Sequence, residues 1–190
     1  MSSFHEALLA IAPRDRDGWI DAQLGLDAIP EDVDLPPGCV PYLPCPVDAI
    51  VRAVTLAKVD ADDVVVDIGA GVGRAALLIH ALTGASVIGL EIQPALVAAS
   101  RLVLARANTD RVVMREGEAT ALAGTLTDAT VFFLYCPFSG GRLERLLDGL
   151  RVMPRPIRIC AVDVPLPPRP WLVPTSDTDA AVVAYTITPM

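Results

Sequence analysis

The stretch Val64-Val65-Val66-Asp67-Ile68-Gly69-Ala70-Gly71-Val72-Gly73-Arg74 decides the fold. Its three consecutive β-branched residues read as a strand buried on both faces, as in a parallel sheet. That strand runs into three alternating glycines, which open a helical pattern from Arg74 to Leu82 that Gly84 stops. Glycine lets the chain turn tightly and lets a ligand approach the main chain, while the free amides of the following helix favour an anion. An ordinary strand-to-helix turn also needs glycine, so the triplet alone leaves two readings open. Two acidic positions downstream favour a ligand. In a doubly wound sheet, ligands bind at the carboxyl ends of the strands, and the next strand should end in an acid that accepts from ribose hydroxyls. The segment Ser86 to Ile92 reads as that strand and presents Glu91 there. A third strand, Arg111 to Arg115, leads into Glu116-Gly117-Glu118-Ala119. Here Glu118 can accept from an exocyclic amine such as that of adenine, the alternative being a solvated turn carboxylate.

Outward from this motif the alternation continues. Val47 to Lys58 carries apolar residues at helical spacing, Pro94 opens a helix to about Ala107, and a fourth strand spans Thr130 to Tyr135. A helix from Gly141 to about Val152 and a strand from Ile157 to Val164 follow. The series predicts an α/β domain with a mostly parallel sheet. The proline-rich Pro165-Leu166-Pro167-Pro168-Arg169-Pro170 must cross in extended form. Two short strands, Trp171 to Pro174 and Ala181 to Thr188, are expected to close the sheet edge as a hairpin. Residues 1–46 are weakly periodic and rich in Pro, Gly and Asp, which separates an arm or lid from a domain at 47–190.

A chain of 190 residues suffices for one core. Apolar residues make up 53% and mean hydropathy is +0.48, yet every apolar run is broken well short of the roughly 20 residues that span a bilayer. The opening Met-Ser-Ser-Phe-His-Glu lacks the basic and apolar regions of a signal peptide, so a cytoplasmic location without membrane insertion is expected. Cys39, Cys45, Cys136 and Cys160 lack the close pairing of zinc sites, and only His5 and His80 supplement them, so no metal is expected. A net charge of −8 and pI of about 4.6 argue against a nucleic-acid partner, which needs a concentrated basic surface.

The glycine pattern separates cofactor classes. In the dinucleotide fingerprint the third small residue would fall at Arg74, which is bulky, so the NAD reading is disfavoured. With Asp67 just ahead of the glycines, the segment instead resembles motif I of class I S-adenosylmethionine-dependent methyltransferases. That resemblance implies a Rossmann-like fold with a seven-stranded, mostly parallel sheet and a reversed terminal strand. It also implies that Asp67 lies beneath the methionine end of S-adenosylmethionine and that the main chain of Gly69, Ala70, Gly71 and Gly73 cradles it. Glu91 and Ile92 would hold the ribose, and Glu118 with Ala119 the adenine. A narrower likeness joins Val40-Pro41-Tyr42-Leu43-Pro44-Cys45-Pro46, residues 66–101 and the proline-rich tail through Trp171. These together look like the lysine methyltransferases related to the adenine nucleotide translocase enzymes, and the glycine region resembles Dot1-type enzymes. The implied acceptor is a protein lysine or a small molecule, and Tyr42 would border the cofactor.

In many members of the broader family an Asn or Asp before Pro at the end of the fourth strand orients the acceptor. Here Tyr135-Cys136-Pro137 stands there. A neutral thiol is a weak donor, so amino-group methylation of the DNA type is disfavoured. Tyr135 borders the cofactor and, with Cys136, is the candidate catalytic pair. The missing acceptor motif also keeps open a non-catalytic cofactor-binding or interaction module of the same fold. Were the acceptor a lysine amine, Glu6, Asp15, Asp17 or Asp21 of the arm could favour its neutral form.

Overall fold

The computed structural model describes residues 3–26, 29–31 and 35–189; positions 1–2, 27–28, 32–34 and 190 of the expected arm and C-terminus lie outside this description. Strands β1 (Val64–Ile68), β2 (Ser86–Glu91), β3 (Val112–Glu116), β4 (Val131–Tyr135), β5 (Ile157–Val162), β6 (Val173–Pro174) and β7 (Val182–Ile187) form one sheet. Their order is β3-β2-β1-β4-β5-β7-β6. β1 to β5 are mutually parallel. β7 runs antiparallel to β5 and pairs with β6 as a hairpin. The expected mostly parallel sheet with a reversed terminal strand is present.

Alternation along the strands assigns their side chains to two cores. Val65, Val87, Val131 and Phe133 face one side, where α3 (Val47–Leu56) and α4 (Arg74–Thr83) pack; Val103 of α5 (Pro94–Ala107) joins the same core. Val66, Ile68, Phe132 and Leu134 face the other, against α7 (Gly141–Arg151) and Ala119 of the short α6 (Ala119–Leu122). Leu143, Leu146, Leu147 and Leu150 give α7 an apolar stripe at helical spacing.

Element ends depart from the sequence pattern where the backbone turns left-handed. The helix expected to reach Lys58 ends at Leu56, and Lys58 has a φ of 52°. The strand expected to reach Val164 ends at Val162, because Asp163 has a φ of 51° and leaves the sheet. Two helices in the arm, α1 (Ser3–Ala10) and α2 (Arg16–Leu24), go beyond the sequence reading. Each buries one large apolar residue, Leu8 and Ile20, in the core shared with α3 and α4.

Candidate active site

Hydrogen bonds stitch the loops after the first strands into one edge. Both Gly69 and Ala70 donate their amides to the Leu90 carbonyl, and Gly117 donates to that of Glu91. Gly69, Gly71 and Gly73 all have positive φ, between 56° and 81°. At Gly71 the requirement is double, since a Cβ would also overlap the ring of Tyr42. Above this edge runs the segment 36–46, a strap between arm and α3. Its Val40 amide donates to the Pro137 carbonyl, and Cys39 forms an isolated bridge with Phe138.

Between strap and strand ends lies a narrow cleft lined by Tyr42, Gly69, Glu91, Ile92, Glu118, Ala119, Tyr135 and Cys136. An adjoining recess takes in Asp67 and Ala70, again with Tyr42, Gly69 and Tyr135. The sequence-derived residues therefore converge, with Gly71 beneath Tyr42. Gly73 is different: it starts α4 outside the cleft lining and sits against Met114 and Ser100.

Glu91 is 6% exposed and uses both carboxylate oxygens on main-chain donors. Oε2 accepts from the Gly71 amide at 2.9 Å and Oε1 from the Gln93 amide at 2.8 Å. This fixes the carboxylate against the glycine loop, and each oxygen keeps a second lone pair for a ligand hydroxyl. Asp67 is 3% exposed, and its Oδ2 has no hydrogen-bond partner among the described residues. Burial first, then the nearby Glu91 charge, push its carboxyl up to about 7, against the pull of the Ala76 amide. A buried acceptor left open at a recess is a place for a ligand cation or donor.

At the other end, Glu118 caps α6 through the Thr120 amide and forms an ion pair with Arg142. Partial burial opposes its charge, but Arg142 and that amide outweigh it and hold the carboxyl below its usual range. The Cys136 thiol donates to the Asp163 carbonyl at 2.9 Å. Burial, then the charge of Asp163, raise it above an ordinary thiol, so Cys136 is not poised as a thiolate nucleophile. Burial likewise raises Tyr135, and pushes Tyr42 up to about 12.

Sequence reasoning did not find the cations that hold this edge. Arg74, 2% exposed, turns its guanidinium toward the arm rather than the sheet. Its Nε donates to Asp21 at 2.5 Å, Nη2 to Asp17 at 2.8 Å and Nη1 to the Cys45 carbonyl at 2.6 Å. Asp17 also accepts from the Val47 amide, so Asp17 and Asp21 are occupied as anchors. Their four-residue spacing, which puts two carboxylates on one helix face, was the available signal. Among the described residues no cluster of His, Cys, Asp and Glu is arranged for a metal, and no helix is long and apolar enough to cross a membrane.

No family model matches the chain, and no curated protein matches it in sequence. Solved structures do. An RNA methyltransferase from Salinibacter ruber, in complex with S-adenosyl-L-homocysteine, is similar at a TM-score of 0.58 and 27% identity, over 77% of this chain and 94% of that one. A precorrin-8w decarboxylase from Methanobacterium thermoautotrophicum matches at 0.54 and 19%, over 86% and 100%. A precorrin-6y C5,15-methyltransferase from Geobacter metallireducens matches at 0.51 and 23%, over 60% and 61%. With its sheet order and single reversed strand, the chain has the Rossmann-like fold of the class I methyltransferases.

Proposed function

We propose that this protein binds S-adenosylmethionine in the cleft and transfers its methyl group to a protein lysine or a small molecule. The observation that carries the reading is the pair of buried acids flanking the glycine loop. Glu91 is clamped to the Gly71 amide with lone pairs to spare for ribose hydroxyls, and Asp67 keeps an unpartnered oxygen for the methionine ammonium. Glu118 and Ala119 supply the adenine end, and Tyr42, Ile92 and Tyr135 the walls. The Salinibacter enzyme, bound to S-adenosyl-L-homocysteine, supports the cofactor assignment by similarity.

The sulfonium supplies an activated methyl group, so the chain's task is to align donor and acceptor and exclude water. Tyr135, at the carboxyl end of β4, can direct its hydroxyl to the acceptor, and Cys136 holds the adjacent turn by its bond to Asp163. The acidic charge of −8 supports an acceptor other than nucleic acid. The proline-flanked Tyr42 segment supports the narrower likeness to translocase-type lysine methyltransferases, and the glycine region that to Dot1-type enzymes. A second reading, a non-catalytic cofactor-binding module, is favoured by Cys136 standing where an orienting Asn or Asp is expected.

Thermal unfolding with S-adenosylmethionine, S-adenosylhomocysteine and NAD(H) in parallel tests the assignment. A ligand at about 100 times its dissociation constant adds roughly 2.7 kcal/mol. The expected result is stabilisation by the adenosyl ligands alone, abolished in Gly71→Arg and reduced in Glu91→Ala, each measured against the variant's own unliganded midpoint. Stabilisation by NAD(H) alone, or by none, overturns it. Methyl transfer to peptide or small-molecule acceptors then separates the enzyme from the module.

A further inference from the structure

The strap covers the cleft, and guanidinium groups fasten both its ends. At the inner end, buried Arg74 holds the Cys45 carbonyl and is itself anchored by Asp17 and Asp21. At the outer end, Arg142 in the first turn of α7 donates its Nε to the Pro37 carbonyl at 3.0 Å and pairs through Nη1 with Glu118. Between them, Tyr42 lies against Gly71 and closes the approach to the glycine loop from the strap side.

The two fastenings differ in strength. The Arg74 side chain is 3% exposed and has three anchoring groups. The side chains of Arg142 and Glu118 are 16% and 32% exposed, in reach of water and screening. Beside Arg142 lies Gly38, with a φ of 86°, whose carbonyl accepts from the Ser139 amide. Main-chain bonds from Val40 to Pro137 and from Ser139 to Gly38 also hold this end, so opening it breaks that short pairing together with the Arg142 fastening, whereas the inner end would have to strip a buried guanidinium of three partners.

We infer that Arg142 is a positioning residue for cofactor exchange: it fastens the outer end of the strap to the carboxylate at the adenine end, and releasing it opens the cleft. This rests on the proposed cofactor. Arg142 joins two functions through one guanidinium, because Glu118, the adenine-end acceptor, is also the group that orients the donor to Pro37. Cofactor contact at Glu118 and closure of the strap are thereby coupled.

The test is surface plasmon resonance with S-adenosylhomocysteine on wild type, Arg142→Ala and Glu118→Ala. In Arg142→Ala the association and dissociation rates should both rise, by about tenfold for loss of a charged hydrogen bond, and the dissociation constant should change less than either. Glu118→Ala, which keeps the Arg142 donor to Pro37 but removes its orienting carboxylate together with the adenine contact, should raise the dissociation rate more than the association rate. If Arg142→Ala raises only dissociation, to the extent Glu118→Ala does, Arg142 acts through the nucleobase contact and the strap inference is overturned. Unchanged rates overturn it as well. Hydrogen exchange without ligand gives an independent reading: the Val40 and Ser139 amides should exchange faster in Arg142→Ala while that of Val47 does not, and uniform exchange counts against the inference. Absence of binding to wild type overturns the cofactor assignment and the inference with it, whereas binding with unaltered variant rates removes the inference alone.

Discussion

Asp67 and Glu91 place two carboxylates close together out of water, an arrangement that costs stability unless main-chain donors or a ligand offset it. Glu91 has its donors in Gly71 and Gln93, while one oxygen of Asp67 has none. With its carboxyl pushed up to about 7, folded Asp67 binds a proton that the unfolded chain has already lost in the window from roughly pH 4 to pH 7. Its contribution therefore falls as pH rises through that window, and is free of the ionisation cost below it. Urea denaturation of wild type and Asp67→Asn across this range should show the variant gaining relative stability as pH rises; a constant difference would remove the buried charge from the argument. A ligand ammonium beside Asp67 has the opposite linkage, since a cation favours the ionised form. Affinity for S-adenosylmethionine should increase up to about pH 7, with proton release seen by calorimetry in buffers of different ionisation enthalpy.

At the scale of elements, the two ends of the sheet divide stability from binding. Opposite the cleft, Asp63, 6% exposed, joins Arg158, the Thr130 hydroxyl and the Asp60 amide, tying the starts of β1, β4 and β5 together. Asp63→Ala leaves Arg158 without its carboxylate and should cost about 3 kcal/mol of unfolding free energy, while affinity for the adenosyl ligands is retained. Unlike the four-residue α6, the parallel strands and the helices α3, α4, α5 and α7 were legible from period and punctuation, as in the β-branched run of β1, the leucine stripe of α7 and Pro94 opening α5. So were Glu91 and Glu118, whose positions at strand ends follow from topology. The arm helices were not, because each offers a single large buried anchor, too little for a periodic signal. Nor were the fastenings of the strap. Arg74 meets a carbonyl 29 residues away and Arg142 one 105 residues away, and such contacts exist only after the sheet has brought the strand ends together.

Over the whole molecule, this packing bears on whether the arm is a detachable lid or part of the cooperative unit. Leu8 is 0% exposed and Ile20 1% exposed, and they share one core with Val54, Leu77 and Leu78 of the helices flanking the sheet. The Arg74 guanidinium is buried against the arm and the strap, and lifting α2 would strip it of both carboxylates. Removing the partners of a buried charge costs about 3–5 kcal/mol, a large part of the stability of an ordinary domain. The arm should therefore unfold with the core rather than open as a body, leaving the strap as the element that moves. Leu8→Ala and Ile20→Ala test this: as core residues each should cost about 2–5 kcal/mol and shift one cooperative denaturation curve. A surface lid predicts losses within about 0.5 kcal/mol, or a separate early transition with the main midpoint unmoved. That outcome would return cofactor gating to the arm as a whole and leave Arg74 as the hinge rather than the anchor.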